Sequence, residues 1–170
     1  MSDSLFECTY TDSFALLRES YSKVGYKAKI IWGCFFLYFA VLIFVWSFWR
    51  NHWLFPLLAL ASLLKGIYNL LLPSIVAKTV MKNIRKSNDG DVPPARIVLS
   101  DKITHYYKMN TCVMLYSELR CAYFLKNCIV FAADDAYVTF ARNGFTKGTP
   151  EELERFLREK HPHVKIFSKH

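Results

Sequence analysis

Two apolar runs with three residues between them constrain this chain more than any other feature. The first, IIWGCFFLYFAVLIFVWSFW from Ile30 to Trp49, carries no charge. At 1.5 Å per residue, its roughly 20 positions match a hydrocarbon core about 30 Å thick. The second, Trp53 to Ala77, is of similar length and is interrupted only by Lys65 and Asn69. Arg50-Asn51-His52 leaves room between them for nothing but a tight helical hairpin. A soluble alternative would have to hide nearly every face of both helices within 170 residues. A secretory signal would place its apolar region within about the first 15 to 30 residues and end it at a small-residue cleavage site. Here the run begins at Ile30 and ends in Trp46, Phe48 and Trp49, which suit an interfacial aromatic belt, so no cleaved segment is expected.

Basic residues orient the pair. Arg18, Lys23, Lys27 and Lys29 precede the first run and Lys78, Lys82, Arg85 and Lys86 follow the second, against Arg50 alone between them. The positive-inside rule then predicts a multi-pass protein of the cell membrane with both termini cytoplasmic. The net charge of +8 is accounted for by residues that flank the spans, where anionic membrane lipids attract them, so no nucleic-acid partner is expected. Of five cysteines, none forms a C-x-x-C pair or has a histidine at ligand spacing, which predicts neither a disulfide framework nor a zinc site. Cys112, Cys121 and Cys128 read as small buried apolar residues in strands.

Beyond a basic linker, 78–94, which ends in SNDGDVPP, the pattern changes. ARIVLS, KITHYYKM, CVMLY, CAYFLKN, CIVFAA and AYVTFA are short runs rich in β-branched and aromatic residues, separated by turn signals. They predict an antiparallel meander. In KGTPEELERFLREKHP, Thr149 and Glu152 have capping-box spacing, Pro150 sits at the first helical position and Pro162 stops the helix. Leu153, Phe156 and Leu157 give that helix an apolar face to close an open sheet or half-barrel. The expected organisation is a cytoplasmic strand and helix over 1–29, the hairpin over 30–77 (30–49 and 53–77), the linker, a domain over 95–160 and a tail over 161–170. The fold class is thus membrane α+β. LFECTY alternates as a strand does, DSFALLRESYSK is helical with Phe14, Leu17 and Tyr21 on one side, and the sequence leaves open whether that strand joins the sheet.

This order of parts, with Tyr116-Ser117-Glu118-Leu119 as an aromatic-Ser-x-aliphatic turn and Arg142-Asn143-Gly144-Phe145 as a basic-x-x-Phe element, resembles the YcxB-like family of small bacterial membrane proteins. The family usually has Pro-Lys where this chain has Ala141-Arg142. The resemblance implies a C-terminal domain similar to pleckstrin-homology and GRAM folds, with Tyr116, Ser117, Leu119, Arg142 and Phe145 as its family-like residues. It implies no defined activity.

Catalytic signatures are absent from the sequence: no H-E-x-x-H, no G-x-S-x-G, no phosphate loop and no dinucleotide fingerprint. His52, His105, His161, His163 and His170 have no nucleophile near them in sequence, and Asp134-Asp135 reads as a hairpin turn. The expectation is a non-enzymatic chain without cofactor or metal. Two functions remain. In one, the hairpin tethers a small binding module that reads a protein or lipid headgroup, with Lys102, Lys108, Arg120 and Lys126 as candidate headgroup contacts. In the other, the hairpin itself acts, as an effector or immunity-type protein on another membrane protein or as a small homo-oligomeric transporter.

Ser62, Lys65, Gly66 and Asn69 fall at i, i+3, i+4 and i+7, one polar stripe on a helix. A mid-membrane lysine costs about 2.5 to 3.5 kcal/mol on insertion scales, which the surrounding Leu, Ile, Phe and Val offset. Counted outward from Asn51, Tyr38 lies near the depth of Lys65, and Ser62 and Gly66 form a small-x-x-x-small pair. Lys65 is therefore expected to face the first helix near Tyr38; snorkelling toward headgroups and contact with a partner helix are the alternatives.

Overall fold

The computed structural model describes residues 4–50, 54–108, 110–134 and 136–168, without the side chains of 48–50. The expected turn at Asn51-His52, the belt rings Phe48 and Trp49, and Asp135 and His170 lie outside the described residues. The chain divides into two units, Tyr21–Ala77 and Met1–Ser20 with Lys78–His170.

The first unit is the hairpin. A π-helical turn, Tyr21–Gly25, leads into α2, Lys27–Arg50; α3, Leu54–Lys86, follows. The short helix Phe14–Ser20 of the other unit is α1. Both α2 and α3 are long and apolar enough to cross a membrane. Their seam is made of small residues: Gly33 and Ala40 of α2 are buried, as are Ala59, Gly66, Asn69 and Pro73 of α3. A Cβ on Gly66 would come within 2.8 Å of the Leu37 side chain and 3.0 Å of the Gly33 carbonyl oxygen, so the two glycines let the backbones approach. Pro73, inside α3, lacks the N–H that would bond the Asn69 carbonyl. Most of the large apolar side chains stay exposed, including Trp32, Leu42, Phe44, Leu57 and Leu64, unlike those of a soluble helical core.

The expected linker is helical for half its length. KTVMKNIRK contains neither Gly nor Pro, so α3 runs on through it to Lys86. It stops where Asn88 Nδ2 donates to Ile84 O at 2.5 Å and Gly90 N to Arg85 O at 2.9 Å. Asp89 and Gly90, at φ 53° and 99°, supply the left-handed turn.

The second unit carries two sheets where one was expected. Strands β1 (Phe6–Thr11), β2 (Pro94–Leu99), β3 (Ile103–Tyr107) and β4 (Asn110–Met114) join β8 (Phe145–Lys147) in the order β4-β3-β2-β1-β8. Strands β5 (Cys121–Phe124), β6 (Cys128–Ala132), β7 (Tyr137–Ala141) and β9 (Lys165–Ser168) form the other, ordered β7-β6-β5-β9. The meander breaks at a 3₁₀ turn, Tyr116–Glu118, where buried Tyr116 and Leu119 pull the chain inward and Glu118 binds the Leu115 amide at 2.9 Å. N-terminal β1 does join a sheet, between β2 and β8, with Cys8 opposite Ile97. Its alternation puts Phe6, Cys8 and Tyr10 inside, and Cys8 Sγ donates to Ala141 O at 3.3 Å across to β7. The expected tail is partly a strand: β9 pairs parallel with β5, and Phe167 stacks on Tyr123 at 4.9 Å.

Helix α4, Pro150–Lys160, starts as its sequence dictates: Glu152 N donates to Thr149 Oγ1 at 3.2 Å and Thr149 N to Glu152 Oε2 at 2.9 Å. Leu153 and Leu157 are fully buried, while Phe156 is half-buried at the helix edge against Phe6 and Tyr116. In α1, Leu16, Leu17 and Ser20 turn inward, and Phe14, expected on one side with Leu17 and Tyr21, is exposed.

Candidate functional site

The polar recess of the second unit grows from four chain segments. Thr9, Tyr10 and Thr11 end β1; Ser13, which caps α1 by accepting the Leu16 amide at 3.2 Å, adds a hydroxyl; Lys126-Asn127 turn between β5 and β6; Arg142-Asn143-Gly144 turn between β7 and β8. Together they enclose about 680 Å³ of open space. Each wall has a structural cause. The Glu19 carboxylate accepts from Lys126 N at 3.0 Å, Asn127 N at 2.9 Å and Asn127 Nδ2 at 3.0 Å, which fixes the β5–β6 turn. Arg142 donates to Leu125 O at 3.3 Å and to Glu151 at 3.0 Å, bracing that turn against the start of α4. The guanidinium holds the Glu151 carboxyl below its ordinary range. Gly144 lies against β1, its carbonyl accepting the Thr9 amide at 2.8 Å. Among the described residues the Lys126 ammonium has no partner, and its side chain is exposed.

A second recess, of about 540 Å³, lies along the end of α3. Lys78, Lys82 and Arg85, at i, i+4 and i+7, share one helical face over a floor of Phe14, Met81 and Val92. Asp12 is the acid at its edge, and burial pushes that carboxyl above the ordinary Asp range.

The family-like residues are spread out. Arg142 braces the first recess, Phe145 is half-buried against Phe140, and Tyr116 and Leu119 belong to the core turn, where Ser117 is exposed. The Tyr116 ring stacks on His161 at 4.4 Å, and burial pushes its phenol pKa up. Of the four candidate headgroup contacts, Lys126 lines the first recess; Arg120 pairs with Asp134, Lys108 donates to Ser87 O at 3.4 Å, and Lys102 stands exposed beside β3. Thr9, Thr11, Ser13, Asn127 and Asn143 were not among the expected site residues. The outward Thr positions of TYT and the helix-capping Ser of TDS were the signal for Thr9, Thr11 and Ser13, and the turns Lys126-Asn127 and Arg142-Asn143 that for the asparagines.

Several groups suited to catalysis have other partners or are buried. Tyr10 OH donates to Thr139 O at 2.6 Å, so the His105 Nε2 it meets at 2.9 Å is the donor to the phenol oxygen. Burial lowers the His105 pKa. Buried Cys8 and Cys128 have thiols pushed up to about 12, whereas Cys112, expected to be buried, is exposed and Cys121 half-buried. Among the described residues no cluster of three His, Cys, Asp or Glu is placed to hold a metal.

In the hairpin, Ser62, Gly66 and Asn69 do line the seam, Ser62 half-buried. Lys65 does not. It is exposed, its ammonium 5.5 Å from the Tyr68 ring centre, and Tyr38 is 63% exposed on α2, so the expected Lys65–Tyr38 contact is not made. At 100° per residue, Lys65 sits roughly 80° from the centre of a seam built on positions 59, 62, 66, 69 and 73. Comparison of the chain with protein-family models, curated proteins and solved structures returns no match.

Proposed function

We propose that the chain is a YcxB-like integral membrane protein of the cell membrane, with both termini cytoplasmic, whose hairpin tethers a non-enzymatic, PH-like binding module. The module's partners are anionic membrane lipids and a protein, and neither nucleic acid nor a cofactor takes part. The observation that carries this reading is the recess along Lys78, Lys82 and Arg85. At 1.5 Å per residue the 33 residues of α3 extend about 50 Å, some 20 Å more than a hydrocarbon core. The basic end therefore emerges at headgroup level, where each cation near an anionic surface is worth about 1 kcal/mol. The hydroxyl-lined recess with the free Lys126 ammonium is the complementary site for a protein segment.

Native mass spectrometry of the full chain released from nanodiscs tests the lipid arm. Phosphatidylglycerol retained over phosphatidylcholine, and lost in Lys82→Ser/Arg85→Ser but not in the equally charge-reduced Arg155→Ser/Lys160→Ser, supports it; equal retention in both variants overturns it. A second reading, in which the hairpin engages another membrane protein, is favoured by one observation, the outward placement of Lys65.

A further inference from the structure

Lys65 is near the middle of the apolar part of α3, about 16 Å from its Leu54 end and about 18 Å from Ala77 at the helical rise. A lysine stem reaches about 6 Å from its Cα. In a membrane the ammonium thus falls about 10 Å short of either interface, beyond the reach of simple snorkelling. Ionisable side chains inside a span face the interior of a bundle or a wet cavity. Among the described residues the bundle is the hairpin, and Lys65 stands outside its seam, with the Tyr68 ring as its described neighbour. The bundle that Lys65 faces must include a further helix.

A symmetric pairing of two copies through this flank does not supply that helix. Between Glu19 and Asp89 the chain holds no Asp or Glu, so two Lys65 flanks brought together would oppose like charges with no carboxylate to separate them. Beside Lys65 on the same flank stand Leu58 and Tyr68, each about half exposed, and Ala61, exposed one turn earlier. A small residue there lets a second backbone come close, and the leucine and tyrosine supply packing on either side of the charge.

We propose that the Leu58–Ala61–Lys65–Tyr68 flank of α3 docks a transmembrane helix of a different protein that carries a carboxylate at mid-membrane depth, with Lys65 as the partner of that carboxylate. The proposal rests on the hairpin crossing a membrane. The reach of the stem and the acid-free span set the chemistry: a neutralising acid at the same depth removes the unpaired charge from hydrocarbon, and the Tyr68 ring shields the pair.

The test uses the full chain, bearing a fluorescent acceptor at its C terminus, reconstituted in phosphatidylcholine liposomes. Donor-labelled polyleucine transmembrane peptides carry Glu or Leu at the central position. Energy transfer should show the Glu peptide associating about tenfold more tightly than the Leu peptide. Lys65→Leu should remove the difference, Lys65→Arg keep it, and Lys65→Glu shift the preference to a peptide with central Lys. Equal association of both peptides, or a preference that survives Lys65→Leu, overturns the proposal. So does Lys65-dependent self-association in the absence of peptide, which would make a second copy the occupant. A chain that alkaline carbonate strips from the liposomes ends the membrane reading and this proposal together. A carbonate-resistant chain with no acid preference ends this proposal alone.

Discussion

Replacing Gly144 with Ala tests the wall of the polar recess. The new Cβ would lie 2.6 Å from the Thr9 carbonyl oxygen and 2.9 Å from Cys8 Sγ. An ordinary contact of carbon on oxygen is about 3.5 Å, so β1 or the β7–β8 turn must retreat by about 0.9 Å. The obstacle is backbone, and it cannot rotate away. Retreat also stretches the Thr9 N to Gly144 O bond, now 2.8 Å, at the point where β8 joins β1. Overpacking of this kind costs about 1 to 3 kcal/mol and a weakened hydrogen bond about 0.5 to 1.5, so about 1.5 to 4.5 kcal/mol in all. For a unit of this size that lowers the thermal midpoint by about 6 to 18 °C. Circular dichroism at β-sheet wavelengths, on detergent-solubilised protein, reads the shift. Gly90→Ala provides the contrast: nothing lies within 4 Å of its Cβ, and only its φ of 99° opposes the change, so about 1 kcal/mol is expected. A Gly144→Ala midpoint within about 2 °C of wild type would refute the close approach of the β7–β8 turn to β1.

Leu157→Ala, at a fully buried site on α4, should cost about 2 to 5 kcal/mol, and half-buried Phe156→Ala distinctly less in the same melt. Burial holds the His105 pKa below 6.5, so the unfolded chain takes up this proton first; stability is full above about pH 6.5 and is lost as pH falls through the folded value. His105→Gln should flatten that decline in urea titrations from pH 7 to pH 5. Gly66→Leu forces side-chain bulk against Leu37 and the Gly33 carbonyl, and should part the hairpin, read as faster proteolysis in detergent, while the equally apolar exchange Leu64→Ile on its exposed face should not.

Local signals carried most of the fold. Strands β2 to β7 fall on the six apolar runs, and the α4 cap follows from Thr149, Pro150 and Glu152. What stayed hidden was set by distance along the chain or by shortness. The alternation of β1 was visible, but nothing in FECTYT names Ile97 as the partner of Cys8. The three residues of β8 and the four of β9 are too short for a period to show. The recess was the least legible part because its residues are turn and cap residues, chosen for local geometry, that only the packing of Glu19 and Arg142 brings together. For Lys65 the spacing was right and the inference from it was not: positions i, i+4 and i+7 from Ser62 to Asn69 line a seam, while i+3 falls outside it, and Gly66 takes the place facing α2.

The central claim, a membrane-spanning hairpin with the β unit on the cytoplasmic side, rests most directly on thiol accessibility. Cys112 on β4 is exposed. A membrane-impermeant maleimide applied to intact and to permeabilised cells, with the label read in carbonate-washed membranes, should reach Cys112 only after permeabilisation. The signal should fall sharply in Cys112→Ser, with half-buried Cys121 leaving a smaller one. A cysteine at Leu54, the start of α3, should be labelled in intact cells. Labelling of Cys112 in intact cells, or release of the chain by carbonate, would contradict the account.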